Sequence, residues 1–348
     1  MNTRAVFFRI LAFTIVVAIV VALAWLGLRR ETGIEPSPLP APVPAPDLRT
    51  EWQSIVGDLR AFQKTFGFRE TRNFQSVSEK MVENRFCGIV AKRYLPYSYE
   101  DPAVAWYEDL PQEECVPEHR GQDVYYGTRE VLGEVSTPVT QSMLNGSLDR
   151  FVYLVIHEDC HDQFKQPYGI EEALCDVITH EAMKRYARQA PRASQAAWQT
   201  LISYAVHQTA LSKETAVQFE RVKAFFDEAK KNRMSDRRFL EQRAVLFADV
   251  ERKIEWKPGD ANNVTLAEAI TYSRHYERLE KIYVGLGGDL SAFVTHFQQL
   301  DPALAGIRRS LRRKGLTESR GAAYLIAYEE AILDLAEQKL PAEKPAER

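Results

Sequence analysis

The stretch His157-Glu158-Asp159-Cys160-His161 follows the apolar run Phe151-Val-Tyr-Leu-Val-Ile156 and has the form H-E-x-x-H. On a helix, residues four apart lie on one face, so His157 and His161 can bind one Zn²⁺ ion together. Glu158 lies beside them and is the candidate general base. The apolar run predicts that the helix is buried, and buried imidazoles need partners. The pattern therefore favours a zinc site over an ordinary amphipathic helix with its polar residues in water.

A second helical stretch begins soon afterwards with Glu171-Glu172-Ala-Leu-Cys-Asp176. Glu172 is the candidate third ligand, because a downstream Glu completes the His₂Glu type of zinc site. Asp176 follows one turn later and can accept a hydrogen bond from a ligand imidazole, which would fix the orientation of that ring. Glu171 points about 100° away from Glu172 and is favourable at a helix N-terminus for a purely structural reason. The alternative is an ordinary acidic helix start.

The N-terminal segment is predicted to span a membrane or to serve as an export signal. Residues 10–28 carry no charge, and that length spans a hydrocarbon core. The expectation is a single-pass anchor over residues 1–30 in a bacterial inner membrane, with the lipid bilayer as a partner and the catalytic part in the periplasm. The alternative is a signal peptide cleaved near Ala22-Leu23-Ala24, which would release the protein into the periplasm. Residues 31–49 are a proline-rich linker.

The remaining chain is expected to hold a core over residues 50–195, a helical part over 196–340 and a polar tail over 341–348. The net charge of −3 gives no indication of nucleic-acid binding. Cys87 and Cys115 could pair in an oxidising compartment. Cys160 and Cys175 could form a second disulfide that braces the site, or be two small buried hydrophobic residues.

The expected fold class is mainly α with a small β-sheet (α+β). Residues 122–126 and 130–135 read as extended, and they predict either an edge strand that binds substrate by strand addition or a small hairpin packed on helices. Residues 52–96 are expected to be mostly helical. The chain from residue 196 is expected to be helical throughout, with one helix running from residues 262–263 to about 283 and a last helix over 318–339.

Two blocks of sequence resemble a predicted bacterial aminopeptidase family. The family carries G-x-D-V, H-E-L-A-H-Q and F-N-E-S-F-A, then N-N-A-x-L, an aromatic residue and G-G-D-L-x-x-F. The first block is matched here by Gly121-Gln-Asp-Val124, His157-Glu-Asp-Cys-His161 and Ile170-Glu-Glu-Ala-Leu-Cys175. The second is matched by Asn262-Asn-Val-Thr-Leu266, Tyr272 and Gly287-Gly-Asp-Leu-Ser-Ala-Phe293.

The resemblance implies a zincin-like metallopeptidase core with additional helices, one Zn²⁺ ion per chain and a peptide or protein substrate. At the matching positions it implies His157 and His161 as ligands and Glu158 as the catalytic residue. Glu172 matches the Glu of the family's Asn-Glu pair. Departures from the family's motifs include Asp159 and Cys160 inside H-E-x-x-H, Asp162 directly after it and Glu171 before the third ligand.

The resulting hypothesis is a membrane-anchored zinc metallopeptidase, with the proton of water taken by Glu158. The oxyanion needs a hydrogen-bond donor, and the candidates are Tyr168, His180 and Tyr272. Asn262 and Asn263 could bind substrate, although Asn before a helix is first of all an N-cap. The alternative is a catalytically degenerate metallopeptidase fold that serves as a periplasmic binding or scaffold protein.

Overall fold

The computed structural model describes residues 46–81, 84–131, 133, 136–189 and 195–341. Over these residues the protein is mainly helical and contains one small sheet, which confirms the predicted α+β class. The strands are β1 Asn84–Ala91, β2 Ala105–Glu108 and β3 Gln122–Arg129. The α-helices are α1 Leu48–Lys64, α2 Gln141–Asn145, α3 Leu148–His161, α4 Tyr168–Gln189, α5 Gln195–Lys231, α6 Asp236–Lys253, α7 Asn263–Ser273, α8 Tyr276–Gly285, α9 Leu290–Gln298, α10 Asp301–Arg313 and α11 Ala322–Gln338.

The sheet has the order β2-β1-β3, and both pairings are antiparallel. The prediction that residues 52–96 are mostly helical is wrong. In the described part of that range the helix α1 ends at Lys64, and the strand β1 begins at Asn84. β1 is buried on both faces: Ile89 packs with Cys115 on one side, and Val90 packs with Val264 of α7 on the other. A strand buried in this way lacks the polar–apolar alternation by which a strand is recognised in a sequence.

Two disulfides are present in the described chain. Cys87 of β1 is bonded to Cys115 in the segment before β3, and Cys160 of α3 is bonded to Cys175 of α4. All four cysteines are buried. The sequence alone did not determine this connectivity.

α4 is buried along most of its length, from Gly169 to His180. It packs against α3 on one side and against α5, α7 and α8 elsewhere. Ile170 of α4 shares one hydrophobic cluster with Phe293 of α9 and Ile332 of α11. The apolar core is therefore continuous between the part expected over residues 50–195 and the helical part that follows it.

The segment that was predicted as one helix over residues 262–283 consists of two helices, α7 and α8. The break lies at Arg274 and His275, between the end of α7 and the start of α8. Both side chains point to Glu329 of α11, at 2.9 Å and 2.7 Å. Glu329, which contacts both residues of the break, lies far away in the sequence. The local periodicity of residues 262–283 therefore does not reveal the break.

In the chain from residue 46 onwards, as far as the structure describes it, no helix combines the length and apolar character needed to cross a membrane. The predicted membrane anchor over residues 1–30 lies outside the described residues, as does the linker up to residue 45. The tail beyond residue 341 also lies outside them.

Glu329 forms a buried polar cluster that joins α11 to the rest of the core. Its carboxylate is fully buried and accepts hydrogen bonds from Arg274 Nη2 at 2.9 Å and from the hydroxyl of Tyr97 at 2.8 Å. Burial raises the pKa of Glu329, but His275, Arg274 and Tyr97 together hold it below its usual value. The folded state therefore favours the ionised carboxylate.

We expect Glu329→Ala to lower the free energy of unfolding by about 3–5 kcal/mol, because the change leaves the guanidinium of Arg274 in the core without its carboxylate counter-charge. This contribution is present above the unfolded pKa of about 4.3 and is lost as the pH falls through the depressed folded value. Urea unfolding at pH 7 and at acidic pH measures both effects. Glu330→Ala, on the exposed neighbour, is the control, and equal losses in the two variants would contradict the argument.

Candidate metal centre

Two imidazoles and one carboxylate meet between α3 and α4 in a group that could hold a metal ion. Glu172 Oε2 lies 3.1 Å from His157 Nε2 and 3.5 Å from His161 Nε2. A tetrahedral Zn²⁺ site with bonds of about 2.0–2.1 Å separates neighbouring ligand atoms by roughly 3.3–3.4 Å. The two measured distances lie on either side of that value. The three side chains therefore have the donor types that a tetrahedral metal ion requires, the two separations from Glu172 match its geometry, and all three donor atoms lie within 4.8 Å of one another.

The other nitrogen of each imidazole faces a second carboxylate of α4. His157 Nδ1 lies 3.1 Å from Asp176 Oδ1, off the line of a straight hydrogen bond, and His161 Nδ1 lies 3.3 Å from Glu171 Oε1. Such contacts fix the orientation of a ligand imidazole and leave Nε2 for the metal. The contact of Asp176 was predicted. The contact of Glu171 was not predicted, because a carboxylate at a helix N-terminus is already favourable for a structural reason.

Electrostatics couples these groups strongly. Burial raises the pKa of Glu172, but the two imidazoles more than reverse this effect and hold it well below its usual range. Burial lowers the pKa of His157, yet contacts with Asp176 and Glu172 raise it to about 9. A metal ion binds the neutral imidazole, so metal binding at neutral pH has to release protons from this group.

Glu158 lies beside the metal group and lines the same cavity as the three donors. Burial raises its pKa, although His157 and His161 act in the opposite direction. Its carboxylate accepts a hydrogen bond from the backbone N–H of Gly133. A Cβ atom at Gly133 would lie 2.9 Å from both the Glu158 carbonyl and His161 Cβ, so only glycine lets the chain pass this close to α3.

The metal group lies in a cavity of about 600 Å³ that opens between α3, α4, α7 and the end of β3. Tyr168 and Tyr272 line it, and the ring of Tyr272 lies 6.2 Å from the ring of His157. Burial raises the pKa of both phenols, so both stay protonated and can donate hydrogen bonds. The structure thus brings two of the three predicted oxyanion donors to the site.

His180 is placed differently from these two tyrosines. It is almost fully buried and is not among the described residues that line the cavity. Its Nδ1 lies 2.8 Å from the hydroxyl of Tyr276, and its ring stacks on Tyr153. Burial lowers the pKa of His180 to about 4. Tyr153 donates a hydrogen bond of 2.7 Å to Asp176, so His180 packs behind a residue that supports the site.

Asn262 and Asn263 both have structural contacts. Asn262 is the N-cap of α7 and forms a capping box with Thr265. Asn263 is fully buried, and its Nδ2 donates to the backbone carbonyl of Tyr94 at 2.7 Å. Its Oδ1 accepts a hydrogen bond of 3.0 Å from Arg243. Asn262 also lines a neighbouring cavity, whereas Asn263 is enclosed by these contacts.

This second cavity, of about 730 Å³, follows β3 away from the metal group and is lined by Val124, Tyr125 and Tyr126. Glu268 and Tyr272 of α7 line both cavities and therefore mark their junction. Sequence reasoning overlooked Glu268, although its spacing of four from Tyr272 placed it on the same helix face. It also overlooked Arg129 at the end of β3, for which the sequence contains no comparable signal.

These elements define a mainly helical protein with a candidate metal centre at the base of an open cavity. The chain belongs to the family described as "Putative aminopeptidase", whose model matches residues 82–311. That range includes the sheet, α3 and α4, and it confirms the aminopeptidase family that the sequence motifs resemble. Among curated proteins and among solved structures, the chain has no match.

We expect Glu172→Ala to abolish tight Zn²⁺ binding, because it removes a donor atom. Glu171→Ala and Asp176→Ala should each weaken binding by about 10–100-fold, because each releases one imidazole from its fixed orientation. Competition with a metal chelator measures the three affinities. Glu181→Ala, further along α4 and paired with Lys184, is the matched control. Loss of the metal in Glu171→Ala but not in Glu172→Ala would exchange the roles of these two residues.

The disulfide between Cys160 and Cys175 should support the same site. The bond closes a loop with a sequence separation of 15 between α3 and α4. We expect the double variant Cys160→Ala/Cys175→Ala to lose about 3 kcal/mol of stability and also to bind Zn²⁺ more weakly, because the two helices are then less constrained. The double variant Cys87→Ala/Cys115→Ala should lose stability without losing zinc affinity. Equal zinc affinities in both double variants would contradict this role.

Proposed function

We propose that this protein is a zinc-dependent peptidase that hydrolyses peptide bonds in peptide or protein substrates. The observation that supports it most directly is the triangle of His157 Nε2, His161 Nε2 and Glu172 Oε2 with Glu158 beside it in one cavity. Two imidazoles and one carboxylate are a donor set typical of catalytic zinc, with one ion per chain. When bound, the ion supplies Lewis-acid activation of water and of the scissile carbonyl.

The protein's own residues perform the proton transfer and the stabilisation of charge. Glu158 takes a proton from the attacking water and transfers it to the leaving amine. Its raised pKa favours the first step, because the carboxylate is then a stronger base than an exposed one. Tyr168 and Tyr272 donate hydrogen bonds to the oxyanion that develops on the carbonyl. Arg129 adds a positive charge in the same cavity.

β3 binds the substrate backbone by strand addition. It lies at the edge of the sheet, with β1 on one side. The carbonyl of Val124 accepts a hydrogen bond of 3.4 Å from Asn262, the N-cap residue of α7, so it points away from β1. Peptide groups alternate in direction along an antiparallel strand, so those of Tyr126 and Thr128 point the same way. These groups lie along the two cavities, where an extended peptide would run.

The protein acts outside the cytoplasm, as a bacterial inner-membrane protein with its catalytic part in the periplasm. Two buried disulfides support this proposal, since such bonds persist in oxidising compartments. The uncharged residues 10–28 are long enough to anchor it in the lipid bilayer. Cleavage of this segment as a signal peptide would leave the protein free in the same compartment.

The proposed chemistry is tested by Glu158→Gln, which removes the base and keeps the shape of the side chain. We expect this variant to bind one Zn²⁺ per chain as the wild type does and to hydrolyse a peptide library at least about 100-fold more slowly. Elemental analysis gives the metal content, and mass spectrometry of the library gives the cleavage rate.

Glu181→Gln serves as the control, because Glu181 lies on α4 but pairs with Lys184 away from the metal group. A Glu158→Gln variant that cleaves the library as fast as the wild type would exclude Glu158 as the base. A zinc-loaded wild type that cleaves no peptide would support the alternative of a binding or scaffold protein.

A further inference from the structure

The cavity around the metal group is lined by five carboxylates, and four of them have a partner. Glu171 and Glu172 contact the imidazoles, and Glu158 accepts the N–H of Gly133. Glu130 forms an ion pair with Arg150. The fifth is Glu268 of α7. In the part of the chain that the structure describes, Glu268 has neither a hydrogen bond nor a cation within ion-pair distance.

The nearby guanidinium of Arg129 does not provide that missing partner. It lies 4.8 Å from the ring centre of Phe86 and 4.6 Å from that of Tyr99, so two aromatic rings hold it. Arg129 attracts Glu268 only at longer range, and this attraction does not offset burial, which raises the pKa of Glu268 to about 7. A cation bound in the cavity would favour the ionised carboxylate.

The position of Glu268 limits which cation it can reach. Glu268 lies one turn before Tyr272 on the same face of α7, and the ring of Tyr272 is 6.2 Å from that of His157. One helical turn advances about 5.4 Å, whereas one residue of an extended peptide spans about 3.3 Å. Taken together, these lengths place Glu268 within about 12 Å of the metal group, so a group bound there lies within roughly three residues of the bond that is cleaved at the metal.

We propose that Glu268 binds a positively charged nitrogen of the substrate next to the scissile bond, and that this nitrogen is the terminal ammonium of a peptide. The side-chain ammonium of a lysine offers the same chemistry and is the other source. The proposal rests on the peptidase function. With Glu268 as the subsite for the free ammonium, the protein would shorten peptides from the amino terminus by a few residues at a time, in agreement with the family description "Putative aminopeptidase".

The test uses the peptide of a library that the zinc-loaded wild type cleaves fastest. It is prepared in four forms, with a free or acetylated amino terminus and with lysine or norleucine as the first residue. We compare the wild type with Glu268→Gln, which removes the charge, and with Glu268→Asp, which keeps it. Glu277→Gln, at an exposed position of α8, is the matched control.

Acetylation of the peptide and Glu268→Gln should each raise KM by about 10- to 100-fold and leave kcat nearly unchanged, because the ammonium is bound equally in the ground state and the transition state. The two changes together should cost no more than either alone, since they remove the same interaction. Glu268→Asp should retain part of the preference for the free amine, and all variants should keep their zinc.

Binding of the four peptides to Glu158→Gln, with and without Glu268→Gln, is measured by calorimetry as a readout that needs no turnover. A preference that follows lysine against norleucine, and not acetylation, would assign Glu268 to the side-chain ammonium and overturn the exopeptidase assignment. Hydrolysis that is indifferent to both changes refutes the Glu268 subsite and leaves the peptidase function intact. A wild type that hydrolyses no peptide refutes both.

Discussion

The burial of ionisable groups between α3 and α4 is the constraint on which the rest of the structure depends. Two imidazoles face four carboxylates there, those of Glu158, Glu171, Glu172 and Asp176. Two protons on the imidazoles bring a charge of +2 to this group, and a divalent cation between neutral imidazoles brings the same charge. Metal binding therefore replaces two protons without changing the total charge, so the surrounding core does not have to adapt to a new charge.

A core that holds so many charges must fix them by apolar packing. α4 is covered on most sides, and its cluster extends to α9 and α11, far along the chain. Glu329 of α11 lies beyond residues 82–311, yet it determines how α7 and α8 meet. α7 carries Tyr272 and Glu268 into the cavity. The helices outside the matched range thus help to position residues that face the metal group.

The sequence predicts the part of this site that depends on helical spacing. The placement of His157 and His161 on one face, of Glu172 opposite them and of Asp176 one turn later follows from the period of a helix, and the structure brings them together. Contacts between distant segments could not be predicted. The buried strand β1, the break at Arg274 and the place of His180 behind Tyr153 depend on partners far away in the sequence.

An unpaired carboxylate in a cavity destabilises the folded protein, because burial removes solvent from a charge without supplying a counter-ion. The other four carboxylates of the metal cavity are compensated by residues of the chain. Glu268 has no such compensation among the described residues, and in the proposed complex a peptide with a positive charge supplies it. Pairing with a cationic substrate removes this destabilisation. The binding free energy is therefore more favourable for a cationic substrate than for a neutral one.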